Sequence, residues 1–192
     1  MQSLADSQKS NALELTTSHC GRVDPRQRAW VEVDSTAIEA NARNIKNFLN
    51  RKCLLMAVVK ADGYGHGAVT VAKAAIKGGA DTLGVATLKE GIDLRKAGLD
   101  CEILVLGNLI NKEELFSCFH SGLMPTLSSI REAIICQNIA EGQNNKFNIH
   151  LKVDTGMTRL GCSTEEVIKL ISTIDRLKNL HLKGLYSHLA LA

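Results

Sequence analysis

The chain has 192 residues, of which 45% are hydrophobic and 22% charged, with a net charge of +3. That length suits one domain with a sizeable core, in the composition of an ordinary globular protein. Interspersed charge and an aromatic content of 4% argue against a basic nucleic-acid patch or a base-stacking platform, and no apolar stretch approaches a membrane span.

Residues 1–28 are rich in Ser, Gln, Asn and Thr, lack the apolar core of a secretory signal, and read as a flexible tail. Six cysteines, at 20, 53, 101, 118, 136 and 162, show neither C-x-x-C nor zinc-ligand spacing. They read as reduced thiols, Cys53 and Cys136 as small core side chains, which suggests a cytosolic protein without a metal.

Order is expected to begin at residues 29–34, where Trp30-Val31-Glu32-Val33 alternates like a short strand. Asp34 or Ser35 then caps a helix whose apolar positions are Ile38, Ala42, Ile45 and Leu49. An apolar run, Leu54 to Val59, predicts a buried strand that delivers Lys60 at its C-terminal end. A helix carrying Val69, Ala72 and Ile76 stops at Gly78-Gly79. Strand Leu83–Ala86, a helix from Leu88 to Gly98 and strand Ile103–Leu106 follow. Asn111 and Glu114 form a candidate capping box. Strand Met124–Leu127, helix Ile130–Ala140, strand Asn148–Val153, a helix opened by Ser163 and Glu166, and strand Leu182–His188 complete the alternation. Strict alternation implies a parallel sheet with right-handed crossovers, either an open doubly wound sheet or a (β/α) barrel.

Lys60 is the first candidate site residue. Desolvation at a strand end lowers a lysine's pKa, and a neutral amine attacks carbonyls, as in the lysine Schiff base of pyridoxal 5′-phosphate. Gly63, Gly65 and Gly67 alternate with Tyr64 and His66 in the loop that follows, a setting expected to expose N–H groups to an anion such as phosphate. Gly63-x-Gly65-x-x-Ala68 also fits a relaxed dinucleotide fingerprint, but three residues separate it from the strand and no acidic residue ends the next strand. In the later segment, alternation puts His150, Lys152 and Asp154 on one strand face and Leu151 and Val153 on the other.

Ala57-Val58-Val59-Lys60-Ala61-Asp62-Gly63-Tyr64-Gly65-His66-Gly67 resembles the cofactor-attachment motif of bacterial alanine racemases. The resemblance runs from about Trp30 to Ala192 and includes two further blocks, His150 to Gly161 and Gly184 to Ala190. It implies a TIM-type (β/α) barrel over residues 35–192, truncated after about six strands, with residues 29–34 joining a β domain. It implies pyridoxal 5′-phosphate as cofactor and interconversion of L- and D-alanine through an aldimine by two-base proton transfer. Lys60 is then the cofactor anchor and one base. Tyr64 binds the cofactor phosphate, and Arg159 bonds the phenolic oxygen and places substrate. Met157 lies near the substrate carboxylate, and His188 packs on the ring. Lys152 is a candidate for carbamylation, since a free lysine would repel Arg159. His66 shapes the loop.

The resemblance assigns the phosphate cup, the arginine on the pyridine nitrogen and the second base, a tyrosine, to segments not found in this sequence. The expectation is therefore a homodimeric cytoplasmic enzyme of which this chain alone binds cofactor weakly and does not racemise alanine. The alternative is a non-catalytic pyridoxal-phosphate-binding barrel. A related decarboxylase or a nucleotide-binding oxidoreductase fits the motifs less well. Neither nucleic acid nor membrane is expected as a partner.

Overall fold

The computed structural model describes residues 29–50 and 52–191, and the expected N-terminal tail and Cys20 lie outside them. The chain divides between Glu32 and Val33, so residues 29–32 are the described part of the N-terminal unit. No strand forms at Trp30–Val33. Trp30 and Val31 are exposed, and the Trp30 indole N–H donates to the Glu32 carboxylate at 2.8 Å. Alternation alone does not make a strand when no neighbouring strand takes up its N–H and C=O groups.

The second unit opens with helix α1 (Ser35–Phe48), whose N-cap is Asp34, accepting from the N–H groups of Thr36 and Ala37 at 2.9 and 3.1 Å. Strand β1 (Met56–Val58) leads into α2 (Lys60–Tyr64), a single turn discussed below. Then come α3 (Ala68–Lys77), β2 (Thr82–Val85), α4 (Leu88–Lys96), β3 (Glu102–Asn108), α5 (Lys112–His120) and β4 (Met124–Leu127). They are followed by α6 (Ile130–Gly142), β5 (Phe147–Lys152), α7 (Val167–Ile174) and β6 (Leu180–Tyr186).

The six strands among the described residues are all parallel and lie in chain order, β1 to β6. A doubly wound sheet reverses direction at a switch point, whereas this one never does. Contacts that skip strands show that it also curls. The Tyr186 hydroxyl on β6 reaches the Leu106 carbonyl on β3 at 3.4 Å, and Lys183 on β6 pairs with Glu102 on β3 at 2.8 Å. In a flat sheet those two strands stand about 14 Å apart, too far for a tyrosine. The architecture is the (β/α) barrel type, curved over its six described strands.

The main core lies outside this curved wall. Leu83, Val85, Ile103, Val105, Leu127, Ile149 and Leu151 point outward, each fully buried against the helices. Their in-between neighbours, such as Gly84, Thr126, His150, Lys152 and Tyr186, line the inner face. Inner-face packing is close: a Cβ on Gly184 would meet the His150 ring at 2.7 Å. At the N-terminal end, the Arg95 guanidinium donates to the carbonyls of Leu99, Cys101, Ser121 and Gly122, tying two loops together.

Several local expectations change. β1 is an edge strand paired only with β2, so Val58 is 38% and Leu54 72% exposed, and the run before Lys60 is half-buried. Cys53, placed in the core by its apolar neighbours, is exposed for the same reason, while Cys136 is buried. Asn111 caps α5 by position, but its side chain makes no cap bond. The Ser163–Glu166 pair does form, at 3.0 Å, one turn ahead of α7. Functioning capping boxes appear instead at Thr87–Glu90 and Ser129–Glu132.

Candidate active site

Every strand of a parallel barrel points its C-terminal end at one face, where loops gather functional groups. Here a cavity of about 400 Å³ opens at that face. Its lining combines the apolar Met56, Val58, Leu106 and Leu160 with Lys60, Lys152, Arg159, Tyr186, Ser187 and His188.

Lys60 reaches the cavity from the end of β1. Val59, fully buried, extends the pairing by donating to the Gly84 carbonyl at 2.8 Å. The backbone then turns left-handed. Ala61, Asp62, Gly63 and Tyr64 have φ of 51°, 53°, 61° and 55°, followed by Gly65 at 84°. Left-handed geometry costs a non-glycine residue about 1–2 kcal/mol, so the turn persists only because its surroundings fix it. Ala61 N–H donates to Glu90 at 2.8 Å and Ala68 N–H to Asp62 at 2.7 Å. Gly63, Gly65, His66 and Gly67 donate to carbonyls within the segment, and the His66 ring sits against the Gly63 and Tyr64 carbonyls.

That bonding overturns the picture of an open anion loop. The amides expected to face a phosphate are consumed inside the turn. Tyr64 lies 59% exposed off the cavity lining, and Lys60 Nζ stands 6.0 Å from its ring centroid.

Lys152 comes from the inner face of β5 and is 7% exposed. Its Nζ lies 5.6 Å from the Tyr186 ring centroid. Burial holds its amine below the ordinary lysine value, the positive charges of Arg159 and Lys60 press it further down, and Asp154 opposes them. Tyr186 is set by its hydroxyl, 2.9 Å from Thr126 Oγ1, which itself donates to the Val105 carbonyl at 2.7 Å.

Arg159 sits in a loop that closes on Lys152. The Cys162 N–H donates to the Lys152 carbonyl at 2.9 Å, and the Asp154 N–H to the Cys162 carbonyl at 2.8 Å. The Asp154 carboxylate accepts the N–H groups of Thr158 and Gly156 at 2.9 and 3.0 Å, and these bonds hold its pKa down. Thr155 and Ser187 hydroxyls, 2.5 Å apart, join this loop to the segment bearing His188. Among the described residues, Lys60, Lys152 and Arg159 enter no ion pair; the pairs formed lie elsewhere. No group of His, Cys, Asp and Glu among the described residues could hold a metal ion.

Residues 33–192 match the family model described as alanine racemase, N-terminal domain. The chain belongs to that family. It is 62% identical over 180 residues to an alanine racemase of Prochlorococcus marinus, covering 94% of this chain and 47% of the relative. It is 47% identical over 167 residues to one from Synechocystis, covering 87% and 45%. A solved alanine racemase of Clostridium difficile in complex with cycloserine superposes with a TM-score of 0.76 at 37% identity, over 80% of this chain and 42% of that one. One from Bacillus anthracis with bound L-Ala-P gives 0.75 at 33% identity, over 84% and 42%. The chain thus spans about half the length of the alanine racemases it matches.

Of the residues singled out by alanine racemase resemblance, Lys60, Lys152, Arg159 and His188 come together on the cavity, while Tyr64 and Met157 do not line it. Tyr186 and Ser187 went unassigned although they sit inside the third sequence block. Glu90 had no signal beyond its place three residues after Thr87.

Proposed function

We propose that this chain supplies the amine-bearing wall of a pyridoxal 5′-phosphate-dependent alanine racemase, an isomerase acting on L- and D-alanine. The observation that carries the reading is the convergence of Lys60, Lys152 and Arg159, without carboxylate partners among the described residues, on a cavity of about 400 Å³. A lining that mixes apolar side chains with three cationic groups fits a flat, anionic, aromatic ligand, and a lysine fits an aldehyde. The fit is to the ring and its aldehyde; the amides of Ala61, Gly63, Gly65, His66, Gly67 and Ala68 are already bonded to protein acceptors.

When bound, pyridoxal phosphate serves as an electron sink that acidifies the α-hydrogen of an amino acid. The residues of this chain then have separate tasks. Lys60 would hold the cofactor aldehyde, and its amine would take or return a proton at the α-carbon on one face. Arg159 would hold the phenolic oxygen and the substrate carboxylate. His188 would pack against the ring. Lys152, buried and pressed toward its neutral form, is set to add to carbon dioxide, forming a carbamate and releasing a proton; the resulting anion orients Arg159. Tyr64 and Met157, off the cavity lining, are assigned to the phosphate and the substrate carboxylate, where a ligand extends past the cavity.

Inversion needs a proton on the opposite face of Cα, which the resemblance assigns to a tyrosine of a β domain, contributed across a homodimer. The same reading makes the enzyme cytoplasmic and its product D-alanine, a peptidoglycan precursor. The bound L-Ala-P of the Bacillus anthracis relative supports an alanine-like substrate.

Borohydride reduction in the presence of pyridoxal phosphate, followed by peptide mapping, tests the anchor. Label is expected on Lys60 and is lost in Lys60→Ala. Label scattered over surface lysines, or absent, sinks the assignment.

A further inference from the structure

Two capping boxes with the same chemistry follow β2 and β4. In the second, Glu132 uses one oxygen, Oε2, to accept the N–H groups of Ser128 and Ser129 at 2.6 and 3.1 Å. In the first, Glu90 Oε2 accepts Ala86 and Thr87 N–H at 2.7 and 2.9 Å in the same way. A helix cap therefore occupies one carboxylate oxygen. Glu90 spends its other oxygen differently: Oε1 accepts the N–H of Ala61, 29 residues away in sequence, at 2.8 Å.

Ala61 is the residue next to Lys60 and the first of the left-handed turn. Its amide finds its acceptor outside the turn, whereas Gly63, Gly65, His66 and Gly67 donate to carbonyls between Val59 and Gly63. Ala61, Asp62 and Tyr64 pay the left-handed penalty without glycine's freedom. The entry to the turn is held by Glu90 and the exit by Asp62. Ala86, held by the other oxygen, also lines the cavity. Burial pushes the Glu90 carboxyl up, but the bonds from Ala61, Thr87 and Ala86 outweigh it and keep the group ionised.

We propose that Glu90 is the positioning residue for Lys60, its carboxylate bracing the start of the left-handed turn against the cap of α4. The role rests on Lys60 being the cofactor-bearing amine, because its consequence is where that amine stands. Displacement of a reacting group by an ångström is enough to cost orders of magnitude in rate.

Glu90→Gln keeps the shape but supplies one acceptor oxygen, which the two N–H groups of the cap, Ala86 and Thr87, claim, so the Ala61 bond is lost. Glu132→Gln removes the same charge at the sister box, keeps the one acceptor oxygen that box uses, and touches no part of the turn. Glu90→Asp keeps the charge at the helix N-terminus on an arm too short to serve both sides, and is the second variant should Glu90→Gln fold poorly by circular dichroism. Two readouts are followed: the rate of borohydride-trapped pyridoxal phosphate on Lys60, and hydrogen exchange of the Ala61 amide, which needs no cofactor. Both Glu90 variants are expected to label Lys60 about tenfold more slowly and to exchange Ala61 about tenfold faster, as loss of a charge-assisted bond implies. Glu132→Gln should stay within about twofold of wild type in both. Wild-type labelling by the Glu90 variants, or an equal loss in Glu132→Gln, overturns the positioning role alone. A wild-type chain that takes no label on Lys60 overturns the cofactor reading and this role together.

Discussion

The Tyr186 hydroxyl on β6 donates to the Thr126 hydroxyl on β4 at 2.9 Å, passing over β5 between them. Thr126 has one proton and gives it to the Val105 carbonyl on β3, so the chain of donors runs from β6 through β4 to β3. The inner face is thereby stapled into its curve, and the Tyr186 ring is fixed against Lys152. Tyr186→Phe leaves the Thr126 bond to Val105 intact and the ring in place. The expected loss is about 1 kcal/mol in urea denaturation. A cycle with Thr126→Val should return a coupling of about 0.5–1.5 kcal/mol. Additive losses would mean that the two hydroxyls do not act together.

Neighbouring positions of the left-handed turn should respond to substitution with opposite signs. Ala61, at φ 51°, gains from losing its Cβ, and Ala61→Gly is expected to stabilise the chain by up to about 1 kcal/mol, the relief of left-handed strain less the added freedom of the unfolded chain. Gly63, at φ 61°, has no room for one: a Cβ there would lie 2.8 Å from Val71 Cγ2. Gly63→Ala should cost about 1–3 kcal/mol from overpacking added to strain. Thermal or chemical denaturation of the two variants checks both signs, and a stabilised Gly63→Ala would show that the turn is not held where it is described.

The sequence shows the alternation of strand and helix because a parallel sheet buried on its outer face demands apolar positions at every second residue of its strands. The placement of Lys152 opposite Leu151 and Val153 follows from the same period, and it holds in the structure. Whether the sheet closes like a barrel depends on strand order, and alternation is the same for both architectures. The segment after Lys60 misled for a different reason. Three alternating glycines look like an open anion loop, yet the left-handed conformation extends over Ala61, Asp62 and Tyr64. What holds those residues is a carboxylate on another helix, a relation with no local trace. Glu90 was invisible as well, since a Thr-x-x-Glu box accounts for it fully until the second oxygen is placed.

Lys152 gives a pH-dependent prediction whose direction follows from its surroundings. Burial first, then Arg159 and Lys60, hold its amine below the usual 10.5, with Asp154 opposing. Between the depressed value and 10.5 the unfolded chain binds more protons than the folded one, so stability rises with pH through that window. Below the window the full cost of the buried charge stands. Lys152→Met, which keeps much of the apolar stem and removes the charge, should therefore stabilise the chain in neutral buffer free of carbon dioxide, by on the order of 1 kcal/mol. The gap between variant and wild type should close as pH approaches 10.5. Comparing the two chains at each pH cancels the titration of the other lysines and tyrosines. Added bicarbonate supplies the reactant for carbamylation and should raise the urea midpoint of wild type, turning repulsion of Arg159 into attraction, while leaving Lys152→Met unmoved. A variant less stable than wild type at neutral pH without carbon dioxide would mean that Asp154 outweighs the burial and the two neighbouring cations.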